Sequence, residues 1–369
     1  VAGLALADAA GLDVLVLERG LYHAHRRELL LLASLHGVLH LGGDALAGGI
    51  GQAAVAAERL PALGGDPAAS SVSGLSSGAY MAVQFHVAFS ADVIGVGAVA
   101  GGPYACAEGN AVFALNLCTA TRLGDPDPRR LLGIARATAA SGGSDPLPHL
   151  ARARVYVFGG TRDTVVEPPV VDALVRFYRL AGVPEANMLV ERGIAAGHAF
   201  ITQGPATPCS TTRAPFINDC DYDQAGAILR HIYGTLEPPS ASPRGGLAEF
   251  DQAEFLRRAR VHGLDDTGLI YVPAACRDGA GCRVHVAFHG CQQGRELIGD
   301  QYATRTGYNR WADTNRLVIL YPQAVRTLRN PYGCWDWFGY DDPAYYTKSG
   351  RQMAAVKRML DRLLQPASR

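Results

Sequence analysis

Apolar positions along the chain fall into two kinds of run. Short runs rich in Val, Ile, Tyr and Phe stand at 93–100, 154–160, 188–191, 267–273, 283–288 and 316–323. They predict strands, and their continuous apolarity is that of a sheet buried on both faces. Other stretches, at 79–89, 169–181, 224–233, 308–314 and 351–364, predict helices. Residues 70–73 are small and β-tolerant and add a short strand just before the first of these helices. Strands that alternate with helices make an α/β fold with a mostly parallel central sheet. Two stretches break the pattern. Residues 104–148 carry Gly, Pro and Asp throughout and are expected to be irregular, as a wall over a site or as a surface excursion. Residues 238–246, Pro-Pro-Ser-Ala-Ser-Pro-Arg-Gly-Gly, have the composition of a linker.

Residues 1–60 fit poorly with the rest of the chain. A helix and a strand ending in Glu18 resemble the second half of a dinucleotide-binding unit, but the first strand and the Gly-x-Gly-x-x-Gly cradle are absent, so no cofactor is expected. Arg26-Arg27 then precede an apolar run from 29 to 41 and a small-residue tail through Ala57. Basic start, apolar middle and small end describe a secretory leader. An amphipathic helical extension is the other reading. His and Gly interrupt the run too often for a membrane span. A single folded domain is expected over 61–369.

The totals narrow the class. Of 369 residues, 48% are apolar and 18% charged, which is globular composition. Formal net charge is zero, so neither nucleic acid nor an anionic membrane surface is expected as partner. The 8 cysteines include close sequence neighbours, Cys106 and Cys118, Cys209 and Cys220, Cys276 and Cys282, which leave Cys291 and Cys334. They lack metal-finger spacing, and no metal is expected. Disulfides formed in an oxidising compartment, and so a secreted protein, are preferred over free thiols in the cytosol; spacing alone does not fix the connectivity.

The chemistry is organised around Gly74-Leu75-Ser76-Ser77-Gly78, a Gly-x-Ser-x-Gly sequence between the 70–73 strand and the 79–89 helix. Strand, sharp turn and helix form the context of a nucleophile elbow, in which the glycines relieve collisions with neighbouring backbone. Asp163 follows the 154–160 strand, and His198 follows the 188–191 strand. The order Ser, Asp, His, each on a loop after its own strand, is that of α/β-hydrolase triads. Imidazole has the proton affinity to activate a serine hydroxyl near neutral pH, and a buried carboxylate fixes its tautomer. The 283–288 strand runs into His289-Gly290-Cys291, as such folds supply an oxyanion-hole N–H. That strand normally precedes the elbow, whereas here it comes after the histidine. A circularly permuted α/β-hydrolase is expected, with its joint near 238–246.

These residues resemble the extracellular poly(3-hydroxybutyrate) depolymerases of the type with the lipase box before the oxyanion segment. The resemblance covers about residues 61–365. It rests on Ser73-Gly74-Leu75-Ser76-Ser77-Gly78-Ala79-Tyr80-Met81, Gly197-His198-Ala199-Phe200, Ala287-Phe288-His289-Gly290-Cys291-Gln292-Gln293, Thr306-Gly307-Tyr308-Asn309-Arg310-Trp311-Ala312 and Gly333-Cys334-Trp335-Asp336-Trp337. It implies Ser76 as nucleophile, His198 as base, Asp163 as its orienter, and the N–H groups of Ser77 and Cys291 as the oxyanion hole. It also implies a Cys291–Cys334 bridge and places Trp335 or Trp337 along the cleft; Tyr80 and His289 join them as substrate-contact candidates. The aromatic stretch 332–346 suits an ester cleft, a protein surface or a buried cluster. The expected function is a secreted serine esterase acting on short-chain polyester or its oligomers. The rivals are an esterase for feruloyl or acetyl groups of plant cell walls and a non-catalytic binding module.

Overall fold

One eight-stranded sheet organises the chain, with the order β4-β3-β2-β1-β10-β11-β9-β8. The structure is a computed structural model and describes residues 57–256, 263–279 and 281–367. Residues 1–56, and with them most of the leader-like segment, lie outside the described residues. The strands are β1 (Ser70–Leu75), β2 (Val93–Val99), β3 (Arg154–Phe158) and β4 (Met188–Glu191) from the front of the chain. A separate small sheet holds β5 (Phe200–Thr202), β6 (Thr207–Pro208) and β7 (Ile217–Asp219). The back of the chain supplies β8 (Gly246–Asp251), β9 (Thr267–Val272), β10 (Arg283–Phe288) and β11 (Leu317–Tyr321).

β1 sits between β2 and β10 and pairs in parallel with both. Parallel pairing continues through β3 to β4 on one side and to β11 on the other. The last two strands, β9 and β8, run antiparallel. Half of the sheet thus comes from residues 70–191 and half from 246–321, and the two halves meet at the β1/β10 seam. This is the permuted arrangement that the motif order implies. Every residue of β1 is buried, as a central parallel strand requires.

Helices cover the sheet: α1 (Ser77–Ala88), α2 (Ala111–Asn116), α3 (Pro128–Ala140), α4 (Pro168–Leu180), α5 (Gln224–Tyr233), α6 (Arg295–Ile298), α7 (Gln301–Arg305), α8 (Tyr308–Thr314) and α9 (Arg351–Leu364). α1 is buried on all sides, so it carries no polar face. Phe85 on α1 meets Phe288 of β10 with ring centroids 6.1 Å apart. Burying a ring of this size contributes about 1.5–3 kcal/mol. α9 buries the stripe Met353, Val356, Met359, Leu360 and Leu363. Its end is tied to residues 63–65 by backbone hydrogen bonds, Leu63 and Gly65 both donating to the Leu363 carbonyl.

One local expectation is corrected. The 104–148 stretch is not irregular throughout: it holds α2 and the longer α3. Asp127 accepts from the Arg129 N–H and Pro128 opens α3, an N-terminal signal present in the sequence. The linker-like stretch ends in β8, which pairs along its whole length with β9. The small sheet of β5, β6 and β7 was not anticipated; its strands are too short to show a period. Among the described residues, no helix is long and apolar enough to cross a membrane.

Candidate active site

Ser76 stands between the end of β1 and the start of α1 with φ 56° and ψ −121°, a region L-residues avoid. Such a backbone costs about 1–3 kcal/mol and persists only where its surroundings hold it. Here the Ser76 N–H donates to the Val99 carbonyl of β2 at 2.9 Å, and the Ser76 carbonyl accepts from Ala79 and Tyr80. The flanking glycines are needed for space. A Cβ on Gly74 would lie 2.3 Å from the Gly78 carbonyl oxygen, and one on Gly78 would lie 2.4 Å from the Phe288 and His289 oxygens. The turn is therefore wedged against the end of β10.

Asp163 and His198 meet at the same rim. Asp163 Oδ2 accepts from His198 Nδ1 at 2.8 Å, and both side chains are buried. The other carboxylate oxygen, Oδ1, accepts from the Val165 and Val166 N–H groups at 2.8 and 3.0 Å, which fixes the carboxylate plane. Two loops are zipped together to bring this about. Thr161 and Arg162 donate to the carbonyls of Ile194 and Ala196, and Gly160 has no room for a Cβ, which would meet Ala196 O at 2.2 Å. The histidine loop is held from the far side as well. His198 N–H donates to Thr212 Oγ1 at 2.9 Å, Gly197 N–H donates to the Cys209 carbonyl, and Cys209 is bridged to Cys220. Because His198 Nδ1 carries the proton given to Asp163, Nε2 is left as the basic atom.

The third component is the loop after β10. His289 is fully buried, its Nε2 accepts from the Ala324 N–H at 3.0 Å, and its Nδ1 lies 2.7 Å from the Gly290 carbonyl oxygen. An Nε2 that accepts must be unprotonated, so Nδ1 carries the hydrogen and donates to Gly290. Burial lowers His289 to about 4, which keeps the ring neutral. The Gly290 carbonyl and the Cys291 N–H belong to one peptide plane and point in opposite directions. Anchoring the carbonyl on His289 therefore points the Cys291 N–H away from the His289 ring. On either side, Gly290 N–H is taken by Gln293 Oε1 at 2.7 Å and Gln292 N–H by the Tyr332 carbonyl at 2.7 Å. Ser77, as the first residue of α1, has an N–H that the helix itself cannot satisfy.

The four disulfides are Cys106–Cys118, Cys209–Cys220, Cys276–Cys282 and Cys291–Cys334. The last ties the oxyanion-loop candidate to the aromatic stretch. From there the Trp335 N–H reaches Ser77 Oγ at 3.4 Å, and Trp335 Nε1 donates to the His289 carbonyl at 3.0 Å.

These contacts correct the substrate-contact candidates. Trp335 and His289 are both fully buried with their ring nitrogens spent inside the protein, so they support the loop rather than face a cleft. Tyr80 stacks on Trp337 with centroids 4.3 Å apart, and both are almost wholly covered. The Tyr80 hydroxyl donates to the Cys118 carbonyl. Burial first, and the nearby Asp163 charge second, push its phenol well above the ordinary value, so it stays neutral. Most of the aromatic stretch is a buried cluster; Tyr332 alone among its large side chains is half exposed. Its scaffold is Asp336, which accepts from the N–H groups of Gly339, Tyr340, Asp341 and Asp342. Gln293 was not singled out from the sequence. It holds Gly290 with its oxygen and donates with Nε2 to the Pro215 and Phe216 carbonyls, joining the oxyanion strand to the histidine side.

A parallel sheet with a strained serine turn at the carboxyl end of its central strand, and an Asp-His pair beyond the next strands, is an α/β-hydrolase. The comparisons carry this further. Over 313 residues the chain is 48% identical to the poly(3-hydroxybutyrate) depolymerase of Delftia acidovorans, covering 84% of this chain but 62% of that relative, less than two thirds of its length. It is 38% identical over 327 residues to the polyhydroxybutyrate depolymerase of Talaromyces funiculosus, covering 83% of this chain and 93% of that one. Among solved structures, a PHB depolymerase serine-to-alanine variant complexed with an R3HB trimer superposes with a TM-score of 0.76 at 35% identity, over 83% of this chain and 98% of that one. The PHB depolymerase from Penicillium funiculosum matches with a TM-score of 0.75 at 35% identity, over the same shares. No family model matches the chain. The chain belongs to the poly(3-hydroxybutyrate) depolymerase family.

Proposed function

We propose that the protein is a secreted serine esterase that hydrolyses poly(3-hydroxybutyrate) or its oligomers through an acyl-enzyme. The observation that carries this reading is the buried His198–Asp163 pair, 2.8 Å apart, at the sheet rim that also bears the strained Ser76. In it, Ser76 Oγ attacks the ester carbonyl while His198 Nε2 takes its proton. Asp163 holds Nδ1–H and supports the imidazolium that forms. The tetrahedral oxyanion is received by the N–H groups of Ser77 and Cys291, a contribution of about 3–4 kcal/mol for a single donor in comparable holes. His198 returns the proton to the departing hydroxybutyrate oxygen. Water then repeats the sequence on the acyl-enzyme, freeing the acid and Ser76.

The relatives' printed names and the R3HB trimer held by one of them support a hydroxybutyrate substrate. An apolar ridge supports action on solid polymer. Val112, Leu115 and Leu123 are 57%, 63% and 57% exposed. Their segment is anchored beside the site, through the Cys118 carbonyl to Tyr80 and through Thr121 to Glu167 in the loop after Asp163. Four disulfides support an oxidising destination. The catalytic unit in this reading is 61–369, with the joint of the permutation in 238–246 and a leader-like segment before it.

The test has two parts. An organophosphonate ester should label Ser76 and no other serine. Incubation with polyhydroxybutyrate film should release hydroxybutyrate monomer or short oligomers. A preference for feruloyl esters over the film would overturn the polyester reading, and an unlabelled Ser76 would leave a binding module.

A further inference from the structure

The central strand breaks a rule of buried strands. Ser70, Ser71 and Ser73 of β1 are all fully buried, where aliphatic side chains pack best. Ser70 Oγ has no hydrogen-bond partner there, whereas Ser71 and Ser73 are both paired. Breaks of this kind gather at functional sites.

Ser71 and Ser73 point to the same face, being two residues apart. They bracket the imidazole of His285 on the neighbouring β10, itself fully buried. His285 Nδ1 lies 2.7 Å from Ser71 Oγ, and Nε2 lies 2.7 Å from Ser73 Oγ. The row continues at both ends. Ser73 Oγ meets the Tyr308 hydroxyl at 2.5 Å, and Ser71 Oγ meets the Tyr233 hydroxyl at 2.6 Å, which in turn reaches the Ala69 carbonyl at 3.1 Å. Only one proton arrangement satisfies each member. Tyr308 donates to Ser73, Ser73 to Nε2, Nδ1–H to Ser71, Ser71 to Tyr233, and Tyr233 to the Ala69 carbonyl. In the reverse direction the Tyr308 proton has no acceptor among the described residues. Burial lowers His285 to about 3, in keeping with a neutral ring that donates once and accepts once.

The row spans the seam that the site depends on. β1 leads directly into the nucleophile, which stands three residues beyond Ser73. β10 ends at the oxyanion loop, four residues before which stands His285. The Tyr308 ring packs against Phe200 at 5.5 Å, and Phe200 lies two residues after His198. We propose that His285, clasped between Ser71 and Ser73, is a positioning residue: it holds the nucleophile strand and the oxyanion strand at the spacing that lets the Cys291 N–H meet the charge developing on substrate. This rests on reading Ser76 as the nucleophile.

The test compares a soluble butyrate ester with its thiono analogue, in which sulfur replaces the carbonyl oxygen. Sulfur accepts hydrogen bonds weakly and fits an oxygen-sized hole poorly, so the oxo/thiono rate ratio reports the hole and not the fold. In Ser73→Ala and His285→Gln, kcat on the oxo ester should fall about tenfold, the scale of a misplaced donor, with KM within about twofold. The thiono rate should change by less than about twofold, so the ratio collapses. Tyr178→Phe, which removes a buried hydroxyl bonded to His86 elsewhere, is the control and should leave the ratio unchanged. If Ser76 is labelled by phosphonate in the wild type and the ratio is unchanged in folded Ser73→Ala, the positioning role is overturned while the nucleophile reading stands. If wild-type Ser76 is not labelled, both fall.

Discussion

Gly78 lies so close to His289 that a Cβ on the glycine would come within 2.4 Å of the histidine's carbonyl oxygen. The elbow and the oxyanion strand are therefore in backbone contact, although 211 residues of sequence separate the two positions (289 − 78). Neither backbone has a flexible side chain to move aside. Gly78→Ala should push the elbow off β10, cost roughly 1–3 kcal/mol of stability as an overpacking change, and sharply reduce turnover. Thermal melts with phosphonate labelling of Ser76 check this. A variant with wild-type labelling rate would show that the seam tolerates displacement.

The Asp-His pair makes a separate prediction. Asp163→Asn keeps the size of the side chain but can present an N–H to His198 Nδ1, favouring the wrong tautomer. The expected loss in kcat is about 10⁴-fold, with KM little changed. Because Oδ1 also caps Val165 and Val166, Asp163→Ala should additionally loosen that loop. Steady-state kinetics on a soluble ester, with melting curves for both variants, separate the two effects. Equal activity of Asp163→Asn and wild type would remove Asp163 from the mechanism.

How much of this was legible beforehand depends on whether a feature is local. The helix at 224–233 begins where expected because Asp223 caps its first turn, and it stops where expected because Gly234 comes directly after it, both short-range signals. The elbow was legible because its glycines answer to backbone collisions that any such turn suffers. The burial of His289 and Trp335 is not legible in the same way, because whether a side chain faces a cleft or the core is decided by elements far away in sequence. The Ala324 N–H holds the His289 ring and the His289 carbonyl holds the Trp335 ring, both inside the protein. The β5–β7 sheet was missed for the same reason: two- and three-residue strands are set by their partners, not by their own pattern.

His289 predicts a pH dependence with a definite sign. Its folded value, about 4, is below the ordinary 6.5 because the ring is buried. Between these values the unfolded chain binds a proton that the folded one refuses. The contribution is therefore fully present above pH 6.5 and is lost as pH falls toward 4, with a slope of about 1.4 kcal/mol per pH unit. His289→Asn removes the titration and keeps a donor for the Gly290 carbonyl. Its stability should depend less steeply on pH than the wild type's over this window, and it should retain more kcat than His289→Ala. Urea midpoints at pH 5 and pH 7 decide the first claim. Parallel slopes for wild type and His289→Asn would contradict it.

The bridge from Cys291 to Cys334 closes a loop of 43 residues between the oxyanion candidate and the aromatic cluster. Its loop entropy alone corresponds to about 4 kcal/mol. The double variant Cys291→Ser/Cys334→Ser should lose stability on that scale. It should also lose kcat at temperatures where it remains folded, since the Cys291 N–H is then held only by its neighbours. The Cys276–Cys282 bridge closes a loop of 6 residues after β9 and touches none of the site residues. Removing it should cost stability without a matching loss of kcat. Kinetics at matched fractions folded distinguish the two bridges; equal losses of kcat would reduce the Cys291–Cys334 bridge to a general brace.

The apolar ridge separates polymer from monomeric ester. Val112 and Leu115 lie on α2, where Ala114 is the buried residue, and Leu123 is joined to the helix by its N–H to the Asn116 carbonyl. Nothing in their packing requires large apolar side chains so far out of the core, and exposed apolar groups in a cluster mark a contact surface. Leu115→Glu with Val112→Glu should leave the fold and the hydrolysis of a soluble ester within about twofold of wild type, as surface substitutions usually do. Adsorption to film, and with it film hydrolysis, should fall by at least roughly thirtyfold, since the two side chains together withdraw about 2–4 kcal/mol of apolar burial and add charges facing polyester. Depletion of protein from solution over film, measured beside soluble-ester turnover, gives both quantities on one preparation. If the two activities fall together the substitutions have disturbed the site, and if neither falls the polymer rests on another face.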